Sequence, residues 1–168
     1  LLEIKLCRFG PETELSDYDA AVFVDNQGTT TRLTERLRDA DVPTFAVVDH
    51  HDPQDVLDPV FSDVRPVAAA ATQMAEYLSS GIFLQMDASN GQHVQLATAL
   101  LHGLHSETSG FIHAERPEYQ AAEFLSSYVD HELLQRVLCI QKSRGTMETI
   151  RAALENRIIR GGISIAGV

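Results

Sequence analysis

The fold of this chain is decided by the stretch Thr44-Phe45-Ala46-Val47-Val48-Asp49-His50-His51. It opens with an apolar run, rich in β-branched residues, of the kind that forms a buried strand. The run stops on a carboxylate and two imidazoles, which suit chemistry better than packing. In open α/β sheets, ligands bind at the carboxyl ends of the strands. The triplet Asp49-His50-His51 therefore predicts a functional site at one edge of a sheet.

A second apolar run lies upstream and ends in the same way. Residues 20–24 form this run, and Asp25 follows it. A helix is predicted over residues 29–40, with Thr29 or Thr30 as its N-cap. Strand, helix and strand within about thirty residues form a βαβ unit, which forces the strands to be parallel. We therefore expect Asp25 and the triplet at the same sheet edge.

The remaining elements are mostly helices. Their predicted spans are 67–79, 90 or 91 to about 104, 117 to about 128, 130 to about 141, and 146–157. A short strand is predicted over Leu2–Leu6, and residues 162–168 have the pattern of a further strand.

Composition bounds the class of protein. The chain has 168 residues, 44% of them hydrophobic, and a net charge of −11. This length suits one sizeable core and the beginning of a second domain. The acidic, lysine-poor composition excludes a duplex-DNA module, which needs a basic patch, and no apolar run is long enough to span a membrane. With two distant cysteines we expect a reduced, cytoplasmic protein, and the acidity is compatible with high salt.

Four segments together resemble the DHH phosphoesterase superfamily, over roughly residues 15 to 141. They are Val24-Asp25, Val48-Asp49-His50-His51, the alanine-rich segment 67–78, and the segment 97–111. The resemblance is to proteins that join a DHH domain to a smaller DHH-associated domain: nano-RNase/pAp phosphatases, exopolyphosphatase-like proteins and cyclic-dinucleotide phosphodiesterases. It implies an α/β fold with an open, mainly parallel, Rossmann-like sheet flanked by helices, then a helical linker and the beginning of a second α/β domain. We expect the DHH domain over residues 1–141 and the linker and associated domain from 142 to 168.

The resemblance also implies roles for individual residues. Three are carried over as metal ligands: Asp25, His50 and Glu107. His51 and Asp49 would be catalytic, His51 by contacting the scissile phosphate or moving a proton and Asp49 by orienting an imidazole. Thr108 joins His51 in substrate binding. The cofactor would be Mn²⁺ (or Mg²⁺), with two ions per complete site, which can clamp an in-line attack of hydroxide on phosphorus.

Two features depart from the family pattern. The family's first motif is an Asp-x-Asp pair at the end of the first strand. Asp17-Tyr18-Asp19 has this spacing but lies in a predicted loop, so we expect the motif upstream of Leu1. The fourth motif usually presents Asp where this chain has Glu107, which places the carboxylate one methylene further out.

Each site residue has an ordinary structural alternative. Asp25 can end a strand and cap a turn, and Glu107 can be a solvated loop acid. Thr108 can support its loop by hydrogen bonding, and a histidine on a helix, such as His102 or His105, is usually structural. The adjacent histidines of the triplet, with a partner Asp one crossover earlier, favour a functional site.

The function predicted first is a metal-dependent phosphoesterase that hydrolyses a phosphodiester or phosphomonoester of a small nucleotide or short oligonucleotide. The candidate substrates are pAp, nano-RNA and cyclic dinucleotides, with polyphosphate after them. A catalytically weakened nucleotide-binding regulatory module is the alternative, and a RecJ-like single-strand exonuclease, which needs a basic cleft, is a third. No duplex-DNA partner is expected, a homodimer stays open, and the acidity suggests a salt-loving archaeal source.

Overall fold

The computed structural model describes residues 10, 12–29, 32–139 and 143–166. Within these ranges the chain forms five strands and six helices. In chain order they are β1 (Ala21–Val24), α1 (Leu33–Asp39), β2 (Thr44–Asp49), β3 (Phe61–Val64), α2 (Ala70–Ser79), α3 (Gly91–Glu107), α4 (Arg116–Ser126), α5 (His131–Leu138), α6 (Arg144–Glu155), β4 (Ile158–Arg160) and β5 (Ile163–Ile165). No helix in the described part of the chain is long and apolar enough to cross a bilayer.

The chain divides into two compact units, Leu1–Leu134 and Gln135–Val168. The first contains a three-stranded sheet in the order β1-β2-β3, with both pairs parallel. This confirms the α/β class and the parallel βαβ unit expected from the sequence. The predicted domain limits, 1–141 and 142–168, stay a prediction.

The sheet buries its two faces differently. Phe23 of β1 and Val47 of β2 are paired in register and pack with Leu37 of α1 in one apolar cluster. Successive side chains of a strand point to opposite faces, so Ala46 and Val48 lie on the other face of β2. Both are buried, and α2 contacts β2. The central strand is therefore covered on both sides, as its continuous apolar sequence predicts.

A second apolar cluster holds α2, α3 and α4 together. Its buried members are Ala69, Ala75, Ala97, Leu104, Ala121 and Leu125. The alanines among them let the helices approach closely. A buried carboxylate also connects α4 with the start of α2. Glu118 of α4 accepts hydrogen bonds from the Ala68 N–H at 3.0 Å and the Thr72 hydroxyl at 3.2 Å.

Helix starts follow the capping rules in most cases. Asn90 caps α3 by accepting a hydrogen bond from the Gln92 N–H at 2.9 Å, and α3 begins at Gly91, within the predicted start at 90 or 91. Asp130 accepts from the Leu133 N–H at 2.9 Å just before α5, near the predicted start of this helix at 130. Pro117 stands in the first turn of α4, behind a capping box between Glu115 and Glu118.

The second unit contains α6 and a two-stranded antiparallel hairpin. Ser143 caps α6 by accepting from the Thr146 N–H at 3.1 Å. Strands β4 and β5 pair through Ile158 and Ile165. Gly161 and Gly162, with φ of +55° and +80°, form the turn between them, where a type I′ hairpin needs left-handed residues. The predicted strand in this region is thus confirmed, together with a partner that was not predicted.

Two predicted helices begin later than expected, and strand β3 of the parallel sheet, like β4, was not predicted. Helix α1 begins at Leu33 rather than Thr29, because Asn26 and Gly28 form a turn in which the Asn26 side chain accepts the Gly28 N–H at 2.6 Å. Helix α2 begins at Ala70 rather than 67, since the preceding backbone is extended and bonded elsewhere. Strand β3 contains polar residues, so the apolar pattern that predicts a buried strand is absent from its sequence. The predicted strand Leu2–Leu6 and the proposed cap Thr30 lie outside the described residues.

Candidate metal and phosphate site

Parallel pairing brings the ends of β1 and β2 together. The Asp25 N–H donates to the Val48 carbonyl at 2.9 Å, which places Asp25 beside the triplet that follows. Asp25 has a φ of +56°, in the left-handed region where Asp is one of the better tolerated residues. This turn directs the chain away from the sheet immediately after the strand. Asp25 and the triplet therefore lie next to each other at one sheet edge, as the βαβ unit predicts.

Four side chains form one cluster at this edge. Asp25, Asp49, His50 and His51 each offer a ligand atom, and these atoms lie within 4.8 Å of one another. His50 Nε2 is 3.0 Å from Asp25 Oδ1, and the His50 and His51 ring centroids are 4.3 Å apart. The side chains of Asp25 and His51 are 57% and 61% exposed, which leaves them open to a ligand.

His50 is held by the backbone on its other side. Its Nδ1 lies 3.2 Å from the Val67 carbonyl oxygen, just ahead of α2. A carbonyl only accepts, so Nδ1 carries the proton and the Nε2 atom faces Asp25. Because a bare Nε2 and a carboxylate oxygen both present lone pairs, this close approach needs a proton or a cation between them.

Asp49 is buried and saturated with hydrogen bonds. Its Oδ1 accepts from the His50 N–H at 2.7 Å, the His51 N–H at 3.2 Å and His51 Nδ1 at 2.7 Å. Its Oδ2 accepts from Gln27 Nε2 at 2.8 Å. Burial by itself raises the pKa of Asp49, but the bonds from His51, Gln27 and the two backbone amides outweigh it and lower the pKa. The carboxylate is thus ionised and directed at His51.

His51 points its second nitrogen away from this carboxylate. Its Nδ1–H donates to Asp49, which leaves Nε2 for contacts outside the cluster. The hydrogen bond to Asp49 raises the pKa of His51, burial opposes this slightly, and the negative charges of Asp49, Asp25 and Glu107 add to the rise. His51 is therefore an imidazole favoured in its protonated form, next to an open surface.

Glu107 and Thr108 lie at the end of α3, apart from the four-residue cluster. Glu107 is exposed, and its charge contributes to the raised pKa of His51. Thr108 is fully buried; its hydroxyl donates to the Leu104 carbonyl at 2.6 Å and accepts the Phe111 N–H at 2.9 Å. The loop-supporting role considered for Thr108 matches these bonds. Metal binding by Glu107 and substrate binding by Thr108 stay predictions.

The loop after α3 has an unusual backbone. Ser109, Gly110 and Phe111 have φ of +53°, +72° and +68°, so three successive residues are left-handed. Such conformations cost free energy in non-glycine residues and persist where the surroundings impose them. The buried Thr108 hydroxyl supplies part of that constraint by holding the Phe111 N–H.

The site opens into a small cleft. A volume of about 270 Å³ is lined by Asp25, Gln27, Asp49, His51 and Gln54, together with Asn26 and Thr29. A larger cleft of about 550 Å³ includes Thr44, at the opposite end of β2. The smaller cleft is the better candidate, because it alone of these two is lined by members of the cluster at the carboxyl edge, Asp25, Asp49 and His51.

The sequence did not indicate Gln27 as a site residue. In the structure its side chain is only 7% exposed and lies at the centre of the site. Besides Asp49, its Nε2 reaches the Asp52 carbonyl at 3.2 Å, and its Oε1 accepts the Gln54 N–H at 2.9 Å. It ties the loop after β1 to the loop after β2. Its place two residues after Asp25 was visible, but only the folded contact reveals its partner 22 residues away.

Comparisons with known proteins agree with this architecture. No protein-family model matches the sequence. An uncharacterized protein of Methanocaldococcus jannaschii is 30% identical over 171 residues, covering 100% of this chain and 33% of that protein. The chain therefore spans about one third of the length of this relative. The crystal structure of an exopolyphosphatase-related protein from Bacteroides fragilis is similar, with a TM-score of 0.61 and 17% identity, over 86% of this chain and 42% of that one. At this identity the likeness establishes a shared fold.

Proposed function

We propose that this chain forms part of a metal-dependent phosphoesterase that acts on a small phosphorylated substrate. One observation carries the proposal: two carboxylates and two imidazoles have ligand atoms within 4.8 Å of one another at the carboxyl edge of a parallel sheet. The fold shared with an exopolyphosphatase-related protein supports it by analogy.

The residues fit a divalent cation. Asp25 Oδ1 and His50 Nε2 are 3.0 Å apart, close to the separation of neighbouring ligand atoms around a cation bound at about 2.1 Å to each. A mixed carboxylate and imidazole set suits Mn²⁺, with Mg²⁺ as the harder alternative. Asp25 and His50 would hold it, with Glu107 as a further candidate ligand. When bound, the proposed pair of cations supplies Lewis acidity and an acidified water.

His51 would act on the phosphate itself. Its Nδ1 is fixed by Asp49 at 2.7 Å, and its ring lines the cleft. The hydrogen bond to Asp49 raises the pKa of His51, which favours the protonated form. We expect it to donate a hydrogen bond to a phosphate oxygen and a proton to the leaving oxygen, a contribution typically worth about 10²–10⁴-fold in rate.

Asp49 would act through His51 rather than as a metal ligand. Both of its oxygens already accept hydrogen bonds from protein donors, three on Oδ1 and one on Oδ2. A carboxylate so occupied orients an imidazole and stabilises its protonated form, as in other Asp–His pairs.

The proposed substrates are small. A chain with a net charge of −11 repels long polyanions, whereas a short phosphorylated molecule can be neutralised locally by cations. The candidates are pAp, short RNA oligonucleotides and cyclic dinucleotides, with polyphosphate after them because it is itself a polyanion. The exposed position of Glu107, outside the four-residue cluster, favours one alternative, a nucleotide-binding module with weakened catalysis.

The test is hydrolysis by the full-length protein, with Mn²⁺ titrated against each candidate substrate. We expect Mn²⁺-dependent release of phosphate or mononucleotide, which His51→Gln lowers strongly and His93→Gln, a half-buried histidine of α3 outside the cluster, leaves intact. Glu107→Asp should preserve or raise turnover in an enzyme. Nucleotide binding without turnover under every condition would support the binding module instead.

A further inference from the structure

A second buried carboxylate, outside the proposed chemistry, lies on α4. Glu118 is 1% exposed, and burying an ionised group requires strong partners. Its Oε2 accepts the Glu115 N–H at 2.9 Å, which completes the capping box of α4. Capping explains that oxygen alone. The other oxygen, Oε1, accepts a hydrogen bond from the segment before α2, and capping of α4 does not account for this contact.

One peptide unit connects Glu118 with His50. The Ala68 N–H donates to Glu118 Oε1 at 3.0 Å, and the Val67 carbonyl accepts from His50 Nδ1 at 3.2 Å. This N–H and this carbonyl belong to the same planar peptide group, so fixing one end fixes the direction of the other. A charged acceptor on the N–H also polarises the group and strengthens its carbonyl as an acceptor.

We propose that Glu118 is a positioning residue for His50, acting through the Val67–Ala68 peptide. By fixing the carbonyl that takes the His50 Nδ1 proton, it keeps Nε2 directed at Asp25 and available to a divalent cation. Groups that hydrogen-bond to a ligating histidine without contacting the metal set the tautomer and orientation of its ring. The role rests on the proposed metal site and deepens it. It links helix α4 to a ligand 68 positions earlier in the chain.

The same corner offers a matched control. The Thr72 hydroxyl also donates to Glu118 Oε1, at 3.2 Å, and Thr72 is fully buried. Thr72→Val removes one hydrogen bond to the same oxygen with little change in shape, yet it leaves the Val67–Ala68 peptide bonded. A purely structural role for Glu118 predicts that Thr72→Val and Glu118→Gln behave alike at the metal site.

The experiment compares Glu118→Gln with Thr72→Val in the full-length protein. Calorimetry with Mn²⁺ alone should give an affinity about 10–100-fold weaker for Glu118→Gln, the range typical of such partners, and unchanged for Thr72→Val. Long-range ¹H–¹⁵N spectra of the metal-free protein at alkaline pH should report a mixed His50 tautomer in Glu118→Gln and a single Nδ1–H tautomer in Thr72→Val. Wild-type affinity together with a single His50 tautomer in a folded Glu118→Gln protein would overturn the proposal.

A wild-type measurement covers the case in which Glu118→Gln does not fold. The wild-type spectrum should contain the Nδ1–H tautomer of His50 and a downfield Ala68 amide proton, as expected for a charged acceptor. If either signal is missing, the positioning role is excluded. These spectra need neither cation nor substrate. A wild-type protein that binds no divalent cation would therefore refute the proposed function while the tautomer data still decide the role of Glu118.

Discussion

Replacing Asp49 by Asn tests the hydrogen-bonded centre of the site with almost no change in shape. The amide oxygen of Asn can take the place of Oδ1 and keep three donors, but its NH₂ then faces Gln27 Nε2 at the present 2.8 Å. Rotating the Gln27 amide does not relieve this. It would point the Gln27 NH₂ at the Gln54 N–H, which Gln27 now accepts at 2.9 Å.

The cost follows from these contacts. In either orientation one pair of buried donors is left facing each other, and an unsatisfied buried donor costs about 1–3 kcal/mol. The bond to His51 also loses its charge, which adds at most about 1 kcal/mol because His51 is largely exposed. We therefore expect Asp49→Asn to lower the free energy of unfolding by about 1–4 kcal/mol.

Urea denaturation followed by circular dichroism at neutral pH measures this change. Asp52→Asn is the control, since Asp52 is an exposed residue of the same loop that meets Gln27 through its backbone carbonyl. It should stay within about 0.5 kcal/mol of wild type, as surface changes usually do. If Asp49→Asn were equally neutral, the reasoning from the Gln27 contacts would be refuted.

Three further predictions concern the site and its loop. Asp25→Asn and His50→Ala should each weaken Mn²⁺ binding in calorimetry by more than the ~10–100-fold expected for a residue that only hydrogen-bonds to a metal ligand. Wild-type affinity in both variants would exclude the two residues as ligands. The raised pKa of His51 means that its pairing stabilises the fold fully below the unfolded value of about 6.5 and is lost as pH rises through the folded value. Urea titrations across that range should thus show a decline that His51→Gln lacks; equal pH profiles would contradict the pairing. Gly110→Ala should lower stability by about 1–2 kcal/mol because of its positive φ, whereas Gly91→Ala, at the helical start of α3 with open space around it, should be neutral or stabilising. Thermal melts distinguish the two, and equal melting temperatures would contradict the strain at Gly110.

The parts of the fold that could be predicted are those indicated by local patterns of apolar and polar residues in the sequence. Apolar runs that end on Asp25 and Asp49, with a helix between them, forced a parallel βαβ unit and hence a shared edge. The helix starts near Asn90 and Asp130 were predicted from local pattern as well. By contrast, β3 consists of four residues with Ser62 and Asp63 in the middle, and it is a strand because β2 pairs with it.

The supporting contacts of the site could not be predicted, because they join residues far apart in sequence. Gln27 meets Asp49 across 22 positions, and Glu118 meets Ala68 across 50. Within its own helix, Glu118 is a capping-box glutamate three residues after Glu115, and that local role gives no sign of a partner before α2. Long-range partners are set by how α4 packs on the start of α2, which local periodicity does not encode.

The distribution of the site over the chain has a thermodynamic consequence. Asp25 follows β1, His50 follows β2, and the carbonyl that holds His50 precedes α2, so these groups meet only when the chain is folded. A cation that binds them binds the native state in preference to the unfolded chain, and by mass action it stabilises the protein by about 2.7 kcal/mol at one hundred times its dissociation constant. The rise of the melting temperature with each metal salt would therefore rank the cations by affinity before any substrate is known.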